Sequence, residues 1–305
     1  MSNVRRIMAV VLAAVLCALC FTACGGNENS TTAPSNGDAS AAVTGVAAAK
    51  SIADLKGMKI AAQTGTFHAD ALNQIPDAKG STLPDFTELL NAVKSGTIDG
   101  YIAEEPTAIS ACRMNSNLDY LHLKNNDTGF TATAADVGIA IGLKKGSDLL
   151  DKMNEVIKGI TEEQKEQLME QIIAVKAGDT VEKFVLESEE PANPTGTLKV
   201  AMECAYAPYN WTQQTDANGA VAISSEGSAG LYANGYDVQI AKYIANALGM
   251  KLEIYAEKWE SLVSGVQAGT YDAIIAGMSP TSERAEQIDF TLPYYVSNLV
   301  VIYKK

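Results

Sequence analysis

One pattern occurs twice in this chain and constrains its fold more than any other feature. Residues 88–103 and 260–275 share this pattern when they are aligned on Gly96 and Gly269. Each reads as a helix, the tetrapeptide Gly-Thr-x-Asp and a buried strand. Chance similarity of two helix–strand units is the alternative, but we interpret the repeat as two lobes of like architecture. Ligands bind off the carboxyl ends of strands in α/β sheets, so two facing lobes predict a cleft that closes on a small molecule.

The rest of the pattern also alternates short apolar runs with amphipathic helices, which is typical of parallel-rich sheets covered on both faces. We predict strands at residues 58–62, 100–103, 120–123, 137–143, 198–202, 252–256, 273–276 and 298–303. We predict helices at residues 67–75, 87–95, 106–114, 147–160, 161–175, 236–248 and 261–268. Thr161 and Gln164 have the spacing of a capping box. Residues 212–234 are polar and glycine-rich and receive no assignment.

The N-terminus predicts export. Residues 1–23 begin with Arg5 and Arg6, continue as a short apolar run and read as a secretory signal peptide. The run ends in Phe21-Thr-Ala-Cys24, which resembles a bacterial lipobox and implies a lipid on the Cys24 sulfur. Plain cleavage after Ala23 is the alternative. Residues 24–50 contain almost no large apolar residue, and we predict a disordered tether there.

Composition excludes several classes of function. The chain has 305 residues, room for about two domains, and a formal net charge of −13. That charge argues against nucleic acid or anionic lipid as a partner. Past the N-terminal region only Cys112 and Cys204 remain, so we expect no disulfide framework. His68 and His122 lie far apart in sequence, no metal-ligand spacing appears, and we predict no cofactor.

The stretch from Asp272 to Arg284 is the strongest candidate for a binding site. It reads as a buried strand, a turn at Gly277 and a helix start with Ser279 or Thr281 as N-cap. Free backbone N–H groups at a helix start suit an anion, and the planar fork of Arg284 binds carboxylates in a bidentate way. We interpret the stretch as a pocket for a small carboxylate. An ordinary strand–turn–helix with a surface arginine is the alternative.

Several motifs together resemble extracellular solute-binding proteins of family 3, the polar-amino-acid receptors of ABC importers. They are Leu198-Lys-Val-Ala-Met-Glu-Cys-Ala-Tyr-Ala-Pro-Tyr-Asn-Trp211, Gly235-Tyr-Asp-Val-Gln-Ile-Ala241, the 272–284 stretch and Asp289-Phe-Thr-Leu-Pro-Tyr-Tyr295. Residues 54–66 resemble the start of that family's second lobe. The resemblance covers residues 48–175 and 197–305. It implies an α/β, two-lobed, periplasmic-binding-protein-like fold of type II, with parallel-rich mixed sheets, flanking helices and a cleft between the lobes.

The order of the halves departs from the family, as in a circular permutation, and joining Lys305 to Ser51 would restore it. We assign lobe 2 to residues 51–143, helices returning to lobe 1 to 144–176, a linker to 177–196 and lobe 1 to 197–305. We expect that only the strand at 137–144 crosses covalently between the lobes. A strand-exchanged dimer is the alternative. In a permuted chain the new termini would lie at one of the two crossover strands between the lobes, and permutation at an exposed connection is physically tolerable.

The resemblance implies roles for the two charged ends of an amino acid. Arg284 is expected to bind the α-carboxylate, helped by backbone N–H groups near Ser279 and Thr66. The Ser279 hydroxyl is expected to add a donor, and the Gly277 carbonyl is expected to meet the α-ammonium. Glu104 stands where the family usually has an Asp that holds the ammonium, with Glu105 as the fallback. A solvated acidic pair is the alternative interpretation of these two glutamates.

The resemblance also implies which residues meet the ligand's side chain. Tyr206 and Trp259 match aromatic positions that sandwich it, and Glu203 matches a position at its polar end. Gln63 and Phe67 are expected to line the lobe 2 edge of the cleft. Core packing is the alternative for the two aromatic residues. For His68 we expect a capping or packing role rather than binding.

The resulting hypothesis is an extracytoplasmic, monomeric lipoprotein receptor without catalytic residues. It would bind a polar amino acid, with Glu203 and Glu105 favouring a cationic one. It would deliver that ligand to an ABC permease while the lipid on Cys24 anchors it to the outer face of the membrane. Two alternatives stay open. One is a dehydratase-like enzyme on the same scaffold, with Glu203 or Glu104 as general acid. The other is a ligand sensor for a signalling partner.

Overall fold

The computed structural model describes residues 44–305. The predicted signal peptide, the Cys24 lipidation site and most of the predicted tether lie outside this range. Residues 44–50, which we predicted as disordered tether, instead form a short 3-10 helix at Gly45–Ala48. Val46 and Ala49 are buried in a cluster with Leu55 and Ile60. The free energy from burying these two apolar side chains outweighs the conformational entropy that an unstructured tether would keep, so the prediction was wrong for this segment.

Sixteen strands and nine α-helices are found within residues 44–305. The strands are β1 (Ile60–Gln63), β2 (Ser81–Leu83), β3 (Gly100–Glu104), β4 (Leu118–His122), β5 (Gly138–Ile139), β6 (Gly142–Leu143), β7 (Thr197–Met202), β8 (Ala205–Tyr206), β9 (Asn210–Gln213), β10 (Val221–Ala222), β11 (Tyr232–Asn234), β12 (Lys251–Ala256), β13 (Ala273–Ile274), β14 (Asp289–Phe290), β15 (Tyr295–Val296) and β16 (Leu299–Lys304). The helices are α1 (Phe67–Ala71), α2 (Phe86–Ser95), α3 (Glu105–Met114), α4 (Ala134–Val137), α5 (Leu149–Lys158), α6 (Glu162–Lys176), α7 (Tyr236–Ala247), α8 (Leu262–Ala268) and α9 (Ser282–Gln287).

Lobe 2 is built on a five-stranded sheet in the order β2-β1-β3-β16-β4. β1 is parallel to β2 and β3, whereas β16 is antiparallel to β3 and β4. Alternate residues of a strand face opposite sides of a sheet. Ile102 and Val301 accordingly join the apolar cluster around Val46, while Tyr101 and Ile302 join the larger core on the other side. Burial on both faces explains the almost continuous apolar sequence of these strands.

Lobe 1 contains a second five-stranded sheet in the order β12-β7-β13-β6-β14. The polar segment that the sequence left unassigned contributes to a small antiparallel sheet in the order β10-β11-β9-β8. Helices α5 and α6 both contact α7, and the predicted Thr161–Gln164 capping box is present at the start of α6. The 177–196 segment, predicted as a linker, has no regular element before β7, but Phe184 and Leu186 are buried in the core.

The two copies of the internal repeat form equivalent hydrogen bonds in the two lobes. Gly96 and Gly269 end α2 and α8 in the left-handed conformation, with φ of 77° and 76°, which glycine adopts without strain. Three residues later, Asp99 and Asp272 each accept a hydrogen bond at 2.8 Å from a backbone N–H, that of Lys59 just before β1 and that of Lys199 within β7. The Gly-Thr-x-Asp tetrapeptide therefore ends a helix and attaches the next strand to its parallel neighbour in both lobes.

The chain crosses between the lobes twice. It first leaves lobe 2 after β4, passes through β5 and enters the lobe 1 sheet as β6. It returns after β14 through β15, which pairs antiparallel with β5, and ends as β16 inside the lobe 2 sheet. Our expectation of a single covalent crossover was wrong, and so was the assignment of all of 197–305 to lobe 1. The physical reason is that the apolar residues Leu299 to Ile302 fit between β3 and β4, where both faces of the strand are buried.

The prediction of a single strand at 137–143 was also wrong. The structure divides it into the end of α4 and the short strands β5 and β6, which belong to different sheets. Its uninterrupted apolar character reflects burial in the hinge and in lobe 1 rather than one continuous ladder. The fold class itself is confirmed: two α/β lobes with parallel-rich sheets, flanking helices and a cleft. The permuted order stays a prediction.

Three further observations concern the described part of the chain. Cys112 and Cys204 are both free thiols. No helix between residues 44 and 305 is long and apolar enough to span a bilayer. Over the same residues, no group of three His, Cys, Asp or Glu side chains is placed to hold a metal ion.

Candidate ligand site between the lobes

The structure brings nine of the ten predicted ligand-binding residues to one small cavity between the lobes. The predicted residues that line it are Gln63, Thr66, Phe67, Glu104, Tyr206, Trp259, Gly277, Ser279 and Arg284. Glu203 does not line this cavity but is hydrogen-bonded to Gln63 beside it. Two lining residues, Phe86 and His68, were not among the predicted ligand contacts. The strands and helices that carry these residues come from both lobes.

Arg284 lies in α9, and two backbone carbonyls hold its guanidinium. Nη1 donates to the Ser279 carbonyl at 2.9 Å, and Nη2 donates across the cleft to the Gly65 carbonyl at 2.9 Å. The guanidinium carbon lies 5.1 Å from the centroid of the Trp259 ring, a cation–π distance. Burial lowers the pKa of Arg284 to about 10, so the side chain stays charged at neutral pH. Of its five N–H donors, those not engaged here are free for a carboxylate.

The Gly277–Ser279 turn is positioned by a buried hydrogen-bond network in lobe 1. Gly277 has φ of +62°, and a Cβ there would lie 2.8 Å from the Tyr206 ring, so both conformation and space require glycine. Asp237 is fully buried at the start of α7 and accepts bonds from the Tyr294 hydroxyl at 2.6 Å and from Asn210 at 2.8 Å. It also accepts a backbone hydrogen bond from Gly277.

Two further features surround this turn. Burial raises the pKa of Asp237 to about 6, against the lowering effect of its three hydrogen bonds. The Ser279 hydroxyl donates to the Asp136 carbonyl at 2.8 Å, which connects the turn to the first crossover. Thr281, rather than Ser279, is the N-cap of α9, so Ser279 does not have the capping role that the sequence allowed. Its side chain is instead used to attach the turn to the hinge.

Aromatic rings from both lobes meet in the cavity. Tyr206 of lobe 1 stacks on Phe86 of lobe 2, with 3.9 Å between ring centroids and an angle of 9°. The Trp259 indole N–H donates to the Gly65 carbonyl at 3.1 Å, so Gly65 accepts from both Trp259 and Arg284. Sequence reasoning missed Phe86. Asp85 marks the helix start, and its side chain does cap α2, but a capping signal does not tell where the next side chain points.

Glu104 and His68 form a buried pair on the lobe 2 side. The Glu104 Oε1 lies 2.9 Å from the His68 Nε2, and both side chains are almost fully buried. The second carboxylate oxygen of Glu104 and the Nδ1 of His68 have no hydrogen-bond partner among the described residues. Unpaired buried polar atoms are costly, and they commonly mark a functional site. Glu105, the fallback residue, faces away and is bonded to His122 at 2.8 Å.

Glu203 connects the lobes through Gln63. The Gln63 side-chain amide donates to the Glu203 Oε1 at 2.8 Å and to the Pro84 carbonyl at 3.0 Å. Burial raises the pKa of Glu203 to about 7 in spite of the bond from Gln63. On its other side Glu203 lines a wider opening of about 610 Å³, together with Asp85, Glu257 and Glu260 and a single lysine, Lys258. This acidic opening adjoins the site.

The volume of the small cavity sets a condition for binding. It is about 10 Å³, which is close to the space that one water molecule needs. A molecule of amino-acid size would therefore enter only if the lobes moved apart and the Phe86–Tyr206 stack separated. The paired β5 and β15 strands provide two short connections about which such a movement can occur.

The fold and the cleft define a two-lobed α/β protein. Residues 198–305 match the bacterial extracellular solute-binding proteins, family 3. The arginine-binding extracellular protein ArtP of Bacillus subtilis (strain 168) is 35% identical over 71 residues, 23% of this chain and 28% of that protein. The ABC transporter arginine-binding protein 1 of Escherichia coli (strain K12) is 37% identical over 71 residues, 23% of this chain and 29% of that protein.

Among solved structures, an ancestral cationic amino acid solute binding protein is 26% identical, with a TM-score of 0.24. The match covers 30% of this chain and 34% of that one. The chain thus spans under a third of the length of the two curated relatives, 28% and 29%. The segment from residue 198 to residue 305, which matches the family 3 solute-binding proteins, carries Arg284, Tyr206 and Trp259.

Proposed function

We propose that this protein is an extracytoplasmic receptor that captures a polar amino acid, preferably a cationic one, between its two lobes. One observation carries the proposal: the Arg284 guanidinium and the Glu104 carboxylate line the same interlobe cavity, with aromatic rings between the lobes. An α-amino acid carries one carboxylate and one ammonium, and charge-assisted hydrogen bonds to both are the strongest that a small site can make. The two arginine-binding relatives support the amino-acid assignment.

The preference for a cation rests on the acidic opening beside Glu203. Asp85, Glu203, Glu257 and Glu260 outnumber the one lysine there, so a guanidinium or ammonium at the end of a side chain is attracted to it. Trp259 and Tyr206 offer the aromatic faces on which such a side chain stacks. A lipid on Cys24 would keep the receptor at the membrane, where the closed form would present both lobes to an ABC permease.

A thermal-shift screen of the purified protein against the twenty amino acids tests this proposal, because ligand binding raises the melting temperature by mass action. We expect a shift with arginine, lysine or histidine. A shift confined to neutral amino acids would keep the receptor and contradict the cationic preference. No shift with any of the twenty, from protein that melts cooperatively, would contradict the amino-acid receptor.

A second candidate is a dehydratase-like enzyme, and Glu203 is the observation that favours it. A carboxyl group whose pKa is raised to about 7 suits a general acid near neutral pH. NMR of each bound compound over time distinguishes the two functions. A receptor returns the ligand unchanged, whereas an enzyme converts it and loses that activity in Glu203→Gln.

A further inference from the structure

A second and larger cavity of about 380 Å³ lies between the lobes, on the other side of Phe86 from the ligand site. Phe86 is the one residue that lines both cavities. The walls of the larger cavity are mostly apolar. Leu90, Ala111 and Met114 line it from α2 and α3 of lobe 2. Ala205, Ala207 and Trp211 line it from lobe 1. Met114 is among the few large apolar side chains that are exposed, and it lies at the edge of this cavity.

Lys176, the last residue of α6, brings a positive charge to this apolar cavity. Its ammonium lies 4.7 Å from the centroid of the Trp211 ring. Among residues 44–305 no carboxylate lies within ion-pair distance of it, whereas the exposed Lys183 has such a partner in Glu187. Burial lowers the pKa of Lys176. A half-buried ammonium without a counter-ion favours an anionic ligand.

Thr107 adds an independent polar group. Its side chain is 4% exposed, and its hydroxyl is buried without a hydrogen-bond partner among the described residues. Thr107 lines the cavity together with the buried Ser110. Leaving a buried hydroxyl unpaired costs free energy, so a ligand that supplies an acceptor recovers that cost. The Lys176 ammonium and the Thr107 hydroxyl are therefore both suited to one kind of partner, a negatively charged oxygen that accepts hydrogen bonds.

We propose that this cavity binds a small amphipathic carboxylate, an aromatic or branched carboxylic acid whose charge meets Lys176 and whose apolar body lies among Trp211, Leu90 and Met114. An α-amino acid does not fit this chemistry, because no Asp or Glu lines the cavity to receive an ammonium group. A phosphate ester does not fit it either, because Lys176 is the one cationic side chain in the wall. The site is independent of the proposed amino-acid function.

The location of the cavity gives its ligand a mechanical consequence. Lobe 2 contributes α2 and α3, whereas lobe 1 contributes the β8–β9 hairpin, so a bound acid contacts both lobes. A ligand that contacts both lobes only when they are together favours the closed arrangement. It also packs against the same Phe86 ring that must leave Tyr206 before an amino acid enters.

The test uses calorimetric titration of the purified full-length protein with 3-phenylpropionate and with its neutral amide. We expect the acid to bind about tenfold more tightly than the amide, as a charge-assisted contact provides. Lys176→Met keeps the apolar stem and removes the charge, so this variant should bind the acid and the amide about equally tightly. Lys152→Met, at an exposed position of α5, is the matched control and should keep it.

A second pair of variants separates this site from the amino-acid cleft. Thr107→Val keeps the shape of the wall and should weaken the acid about threefold, with an unchanged melting temperature as the check on folding. In Arg284→Gln the preference for the acid should persist. The proposal is overturned if neither probe binds the wild-type protein. It is also overturned if the preference for the acid survives in Lys176→Met but disappears in Arg284→Gln.

Discussion

The two lobes present different faces to the cleft. On lobe 1, Arg284 and the Gly277–Ser279 turn rest on hydrogen bonds that are largely complete, with Asp237 at their centre. On lobe 2, Gln63 and Glu104 stand at the ends of β1 and β3, and Glu104 retains an unpaired carboxylate oxygen next to an unpaired nitrogen of His68. The Arg284 guanidinium is held in place before any ligand arrives, whereas Glu104 and His68 have polar atoms still to be satisfied, as do Tyr206 and Glu203 on lobe 1.

This difference shows how closure and binding are coupled. Arg284 and Trp259 of lobe 1 both donate to the Gly65 carbonyl of lobe 2, and Phe86 stacks on Tyr206. The groups that we expect to hold a ligand therefore also hold the lobes together. A ligand has to replace these contacts with better ones, and its two charges have to reach both faces at once. Affinity then depends on closure as well as on the site itself.

The largest expected effect comes from removing the lobe 1 charge. Arg284→Gln should weaken amino-acid binding at least about a hundredfold, since it removes two charge-assisted hydrogen bonds of about 1.5–3 kcal/mol each. Calorimetric titration with arginine measures the change. Arg113→Gln, at an exposed arginine of α3, is the matched control and should bind like the wild-type protein. Equal affinities in all three proteins would place the carboxylate elsewhere.

Breaking the support behind the lobe 1 face should have the next largest effect. Asp237→Asn leaves one acceptor oxygen for three donors, so at least one buried hydrogen bond is lost. We expect the free energy of unfolding to fall by about 2–4 kcal/mol, measured by denaturant titration. Asp216→Asn, at an exposed lobe 1 position, should change it by less than about 0.5 kcal/mol. A stable Asp237→Asn protein would mean that the turn needs no such support.

The burial of Glu203 predicts that the stability of the protein depends on pH. Its pKa is about 7 in the folded protein and 4.5 as the ordinary value, so the folded state binds more protons between these pH values. The free energy of unfolding should therefore fall as pH rises through that range. Glu203→Gln removes this loss and should be more stable than wild type at pH 8, by on the order of 1–3 kcal/mol.

Melting temperatures at pH 4 and pH 8 measure the difference between the two proteins. The exposed Glu226→Gln variant is the control and should follow the wild-type pH dependence. A Glu203→Gln protein with the same pH dependence as wild type would contradict the raised pKa. The same variant should lower the preference for arginine over a neutral amino acid, since one carboxylate of the acidic opening is lost.

The smallest expected effect concerns chain order. Ile60 of β1 and Tyr303 of β16 both pair with Gly100, so the last strand ends where lobe 2 begins. A chain that joins Lys305 to Thr44 by a short Gly/Ser linker and starts at residue 195 should fold with a free energy of unfolding within about 1 kcal/mol of wild type. Denaturant titration measures it. Failure to fold would contradict the hypothesis of a circular permutation.

The sequence predicted the local elements well because their signals are local. The capping box at Thr161, the glycines that end α2 and α8, and the helical period of α7 all act within a few residues. It also indicated Arg284 and Tyr206, which stand in contiguous motifs, and the family resemblance implied Trp259. It did not indicate Phe86, because its stacking on Tyr206 depends on how two lobes approach each other. Nor did it indicate that His68 would pair with Glu104.

The sequence by itself determined the repeated helix–strand unit, the α/β class and the residue types around the cleft, because periodicity, caps and turn residues act over short distances. Only the tertiary structure decided where the last strand belongs. Leu299 to Ile302 are apolar enough for either sheet, and the choice of lobe 2 depends on the space between β3 and β4 that the rest of the chain provides. That choice makes two crossovers instead of one, and long-range pairing of this kind leaves no mark in the sequence near it.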